Sequence, residues 1–164
     1  MTPILNPEQI RLFRHNGFLK LPHTLPHETI ENLKAALRSE LMKEVEPIVR
    51  GPDGNPVRIS QVVDRKNILF REIATSPVVL DPLEAILGPN IEIVKNRHNH
   101  ATLNLASKNT DRFHRDITQW TQPLVTVIFY LEETHLDNGC TQLIPGSHLL
   151  PGIGANIAAL VSYS

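Results

Sequence analysis

Apolar positions follow a helical period over the first half of this chain and a period of two over much of the second, with the change near Ile91. Asn6-Pro7-Glu8-Gln9 predicts a helix start, with Asn6 as N-cap, Pro7 in the first turn and Gln9 placed to return a hydrogen bond to the cap. That helix carries Ile10, Leu12 and Phe13 and stops at Asn16-Gly17, where glycine suits the left-handed position after a helix. Phe18 to Leu21 reads as a short extended run ended by Pro22. A second helix is predicted from near Pro26 to about Val45. Its Ile30, Leu33, Leu37 and Leu41 form one core-facing stripe, while Glu31, Lys34, Arg38 and Lys43 are solvated. The turn cluster Gly51 to Pro56 opens a poorly patterned stretch to Phe70, expected to cover one end of a barrel. Ser76-Pro77 repeats the cap-then-proline start, and the helix that follows, with Val79, Leu80, Leu83, Ile86 and Leu87, ends at Gly88-Pro89.

From Ile91 the alternation predicts strands. Ile91 and Ile93 alternate with Glu92 and Val94, and His98, His100, Thr102 and Asn104 share one face of a run that ends in a polar loop, Ala106 to Arg112. Leu124 to Leu131 is a β-branched and aromatic strand, and Cys140 to Ile144 is another after the Asp137-Asn138-Gly139 turn, broken by Pro145-Gly146. Helices first and strands afterwards predict an α+β fold, with the helices packed on an antiparallel sheet or barrel.

Composition changes this picture little. A chain of 164 residues, 41% hydrophobic and 20% charged, is expected to be one domain, residues 1–164, with a core of its own. A net charge of −1 gives no footprint for nucleic acid or an anionic membrane surface. No apolar run reaches the roughly 20 residues of a membrane span, and the N-terminus lacks the basic and apolar regions of a signal peptide. Cys140, the one cysteine, has no internal disulfide partner and reads as a small buried hydrophobe in a reducing compartment. A cytoplasmic location is expected.

The candidate chemistry lies in Arg112-Phe113-His114-Arg115-Asp116. On extended chain His114 and Asp116 leave the same face, so imidazole and carboxylate converge on one metal ion. They supply two-thirds of the 2-His-1-carboxylate facial triad, which leaves open positions on Fe(II) for a co-substrate and O2. An H-x-D pair on its own arises readily by chance, and an exposed loop His beside a loop Asp explains it equally well.

Further motifs line up with that pair. Asp137-Asn138-Gly139-Cys140-Thr141-Gln142-Leu143-Ile144-Pro145-Gly146-Ser147-His148 resembles the N-G-C-x-x-x-I-P-G-S-H signature of the phytanoyl-CoA dioxygenase family, and it follows the H-x-D pair after one strand, as in that family. Gln9 to Phe18 resembles the family's opening helix and its G-F strand, so the likeness runs from about Asn6 to His148. The resemblance implies a double-stranded β-helix (jelly-roll) core. It also implies a dioxygenase that uses Fe(II), 2-oxoglutarate and O2 to hydroxylate small organic or CoA-linked substrates, with His114 and Asp116 as metal ligands. Thr102 and Asn104, inward on the strand before the pair, are candidates to hydrogen-bond 2-oxoglutarate, or else satisfied polar groups in the barrel mouth. Trp120 is a candidate substrate wall, with core packing as the other reading.

One departure from the family pattern stands out. The family pattern continues past its signature to a distal His ligand and an Arg that pairs with 2-oxoglutarate, and Leu149 to Ser164 holds neither. The expectation is therefore a partial jelly roll lacking the last strands of the family fold, with an exposed sheet edge that favours homo-oligomers. Three alternatives follow: an inactive partial product, a site completed by His148, His98 or His100, and a non-catalytic binding or oligomerisation module on the same scaffold. His15, His23, His27 and His135 read as solvated.

Overall fold

The computed structural model describes residues 5–21, 24–95, 97–103, 123–138 and 140–150. It places four α-helices, α1 (Pro7–Asn16), α2 (His27–Met42), α3 (Leu69–Ala74) and α4 (Pro77–Leu87), beside one antiparallel sheet of three strands in the order β1 (Ile48–Arg50), β2 (Pro56–Ser60), β3 (His100–Thr102). The fold class is α+β. Short 3-10 turns lie at Val62–Asp64, Leu136–Asn138 and Ser147–Leu149.

Local chemistry sets the helix ends. Asn6 and Gln9 exchange hydrogen bonds of 2.9 Å in both directions, Pro7 fills the first turn, and Gly17, at φ 83°, closes α1 by donating its N–H to the Phe13 carbonyl at 2.7 Å. Ser76 departs from its expected role. Its hydroxyl donates backwards to the Ile73 carbonyl at 2.7 Å instead of capping α4. The cause is α3, a helix the sequence pattern hides, whose final carbonyls end just ahead of Ser76 and take the nearest donors; the Thr75 hydroxyl likewise donates to Arg71 at 2.9 Å.

The core sits between α2 and the sheet. Leu33, Ala36, Leu37 and Leu41 of α2 are buried with Phe70 of α3 against Ile59 of β2, which is fully buried. Each such leucine or isoleucine contributes roughly 1.5–3 kcal/mol through its burial. The cross-strand register explains the choice of Ile59. Ile48, Ile59 and Ala101 stand in one row across the three strands, all packed toward α2, whereas Val49, Arg58 and Thr102 form the adjacent row on the opposite face.

A buried cation ties this core to the chain around it. Arg65 donates to Glu40 of α2 at 2.6 Å and to the carbonyls of Val45, Pro47 and Ser60 at 2.9, 2.6 and 3.0 Å. One side chain thus binds the end of α2, the link to β1 and the last residue of β2.

Three expectations need correction. The stretch from Gly51 to Phe70 holds the turn and second strand of the β1–β2 hairpin, a 3-10 turn and the start of α3, and these elements of three to six residues are too brief to show a period. Ile91 to Val94 forms no strand, and the run from His98 is shorter than its alternation suggests because His98 takes a left-handed φ of 50°, so pairing starts at His100. Leu124 to Leu131 and Cys140 to Ile144 form no ladder among the described residues, although the Tyr130 hydroxyl donates to Thr141 Oγ1 between them. Leu131 nevertheless packs on the core, and Glu132 sits 3.6 Å from both Lys34 and Arg38 of α2.

Candidate functional site

The sheet has one face committed to the core and one open. On the open face, alternation along β2 and β3 sets Arg58 and Ser60 beside Thr102 and His100. Arg58 donates from Nε to Thr102 Oγ1 at 3.1 Å, and both side chains are half-buried. The Leu103 N–H continues the ladder to the Val57 carbonyl at 2.8 Å, so β3 is held in register up to the last described residue before 104–122. Among the described residues this face displays a guanidinium, an imidazole and two hydroxyls, and no carboxylate. Its chemistry suits an anion.

Of the four site residues expected from sequence, the structure places Thr102, on the open face as the alternation predicts. Its hydroxyl oxygen already accepts from Arg58, which leaves its hydrogen free to donate. Asn104, His114 and Asp116 lie outside the described residues, as does Trp120. Arg58 is the residue that sequence reading missed. Its placement depends on cross-strand register, and no local pattern signals it.

Among the described residues the histidines do not assemble a metal centre. No group of three or more His, Cys, Asp or Glu that could hold a metal occurs among the described residues. The rings of His98 and His100 stand 6.2 Å apart at 42°. His148 is occupied elsewhere, its Nε2 lying 3.1 Å from the Arg14 carbonyl at the end of α1. His15, His27 and His135 are exposed, as expected. Cys140 is half-buried and free, a more open setting than the core position its sequence suggests.

Comparison with known proteins bears on the same stretches. The family model for phytanoyl-CoA dioxygenase matches residues 13–155, most of the chain. The chain belongs to the phytanoyl-CoA dioxygenase family. Family membership carries an Fe(II)- and 2-oxoglutarate-dependent oxygenase chemistry at the level of the family, and the match spans the H-x-D pair, the Pro-Gly-Ser-His signature and β2–β3 with their open face. A comparison with curated proteins gives no match. No helix among the described residues is long and apolar enough to cross a membrane.

The donor set fits the family's metal. A neutral imidazole and a carboxylate, the groups that His114 and Asp116 would supply, suit a borderline, open-sited Fe(II), and the pair includes no thiolate, which would favour other metals.

Proposed function

We propose that this chain is an Fe(II)/2-oxoglutarate-dependent dioxygenase that hydroxylates a small organic or CoA-linked substrate. The observation that carries this reading is the family match across residues 13–155, which includes the His114-x-Asp116 pair and, further along, the N-G-C…P-G-S-H signature. His114 and Asp116 would hold the metal, and Thr102 and Asn104 would hydrogen-bond the co-substrate from the strand that precedes the pair. A jelly-roll core is part of the same proposal: the open face of β1–β3 would line its interior while α2 covers the outside. When bound, the iron and 2-oxoglutarate supply the oxidising chemistry, and the protein supplies position and a dry, shaped site.

The test is anaerobic Fe(II) titration of the chain with and without 2-oxoglutarate, followed by a succinate assay in air. The iron–2-oxoglutarate charge-transfer band and succinate formation, both lost in His114→Ala, are expected. An iron affinity unchanged by His114→Ala, or no succinate from the wild type, overturns the reading.

A second reading, an oligomerisation module on the same scaffold, draws support from one segment. Leu124, Val127, Ile128, Phe129 and Tyr130 are exposed, and the backbone from Leu124 to Tyr130 makes no hydrogen bond among the described residues. A β-branched run of this kind is a template for pairing with another chain. Light scattering decides it: a dimer converted to monomer by Ile128→Lys favours the module, and a monomeric wild type rejects it.

A further inference from the structure

We propose that the open face of the sheet carries a carboxylate-binding site, in which the Arg58 guanidinium takes the anion and Thr102 positions it. Only Arg58 and Arg65 among the described arginines are withdrawn from solvent. Arg65 has a carboxylate, Glu40, at 2.6 Å. Arg58 has none: its Nε binds Thr102, and its Nη1 and Nη2 have no hydrogen-bond or ion-pair partner among the described residues. A half-buried cation whose two Nη groups, with four N–H donors, meet no carboxylate among the described residues is matched by a planar carboxylate that accepts two parallel N–H bonds.

The surroundings favour a ligand over a protein partner. The acidic groups of the neighbouring segments are already engaged, Glu44 with Arg50 at 2.6 Å, Glu46 with the Ile48 N–H at 2.9 Å, and Asp64 with Lys95 at 2.9 Å. The Nε–Thr102 bond fixes the guanidinium plane, so the fork is oriented before the anion arrives and little rotamer freedom remains to be lost. Val49, in the same row as Arg58 and 43% exposed, offers an apolar neighbour against which the carbon skeleton of an organic acid would lie. The ligand is therefore an organic acid, with two sources: the co-substrate or the substrate. That choice rests on the oxygenase reading, whereas the site itself does not.

The test separates them. Metal-free protein is titrated with 2-oxoglutarate and, separately, with benzoate, while the backbone amide resonances of β2 and β3, which every variant retains, are followed. Saturable shifts are expected, with affinity falling about tenfold or more in Arg58→Gln, less in Arg58→Lys, which keeps the charge without the fork, and several-fold in Thr102→Val. Arg38→Gln, an exposed arginine on α2, should change nothing. Repeating the 2-oxoglutarate titration with Fe(II) assigns the source: loss of that affinity in Arg58→Gln marks the co-substrate, and loss of benzoate binding alone marks the substrate. Equal affinity in Arg58→Gln and wild type, or no saturable binding of either acid, overturns the proposal. Failure of the wild type to bind Fe(II) sinks the oxygenase reading instead and leaves the metal-free titration standing.

Discussion

The imidazole of His148 lies directly on Gly17. Its Nε2–H donates to the Arg14 carbonyl at 3.1 Å, and a Cβ added to Gly17 would fall within the van der Waals surface of the ring. The Gly146 N–H meets the Asn16 carbonyl at 2.9 Å, so the Pro-Gly-Ser-His signature docks on the last turn of α1 from far along the chain. The signature histidine thus closes the C-terminus of a helix, where orphan carbonyls need donors.

Gly17→Ala is expected to lower stability by about 1–3 kcal/mol, through a strained left-handed φ and the collision with His148. Urea midpoints measure it. In the background of His148→Ala the same substitution should be milder, because the collision is gone and the backbone strain remains. Equal effects in both backgrounds would show that the ring does not press on Gly17.

Arg65→Met should be among the most damaging single changes, about 3–5 kcal/mol, because it leaves Glu40 and three carbonyls without their donor. Replacing both members, Arg65→Met with Glu40→Leu, should recover part of the loss. A thermal melt of the single and double variants decides it.

The two faces of the sheet predict opposite sensitivities. Ile59→Ala, in the core row, should lose about 2–5 kcal/mol, whereas Val49→Thr, one position over in register on the exposed face, should stay within about 0.5 kcal/mol. Equal losses would contradict the assigned faces.

Acid should erase one small contribution. The Arg50 hydrogen bond holds the Glu44 carboxyl below its ordinary value near 4.5, as Lys34 does for Glu31. A lowered carboxyl stabilises the folded state above that ordinary value, and the contribution is lost as pH falls through the lowered one. The stability difference between wild type and Glu44→Gln should therefore be present at neutral pH and vanish in acid. Both partners are exposed, so the difference is small and shrinks with salt.

Local chemistry made part of this fold legible in the sequence. The cap, proline and terminal glycine of α1, and the α2 stripe of Leu33, Leu37 and Leu41, need only near neighbours to be read. The hairpin was hidden because three residues of β1 and five of β2 show no period, and α3 because it spans less than two turns. His98 looked like strand until its left-handed backbone displaced the start of β3. At the site, Thr102 was legible from alternation, whereas Arg58 became visible only through register with a strand distant in sequence. The role of His148 was likewise invisible, since a contact with α1 decides it.

Arg58 and Thr102 are 44 positions apart, and α3 and α4 lie between their strands. The β1–β2 hairpin forms from neighbouring residues, while adding β3 must close a loop of that length before any pairing offsets the lost entropy. A chain stalled with only its hairpin formed would therefore hold Arg58 without its orienting hydroxyl. The recognition fork comes into existence late, with the long-range contacts, so ligand affinity doubles as a report that folding has run to completion.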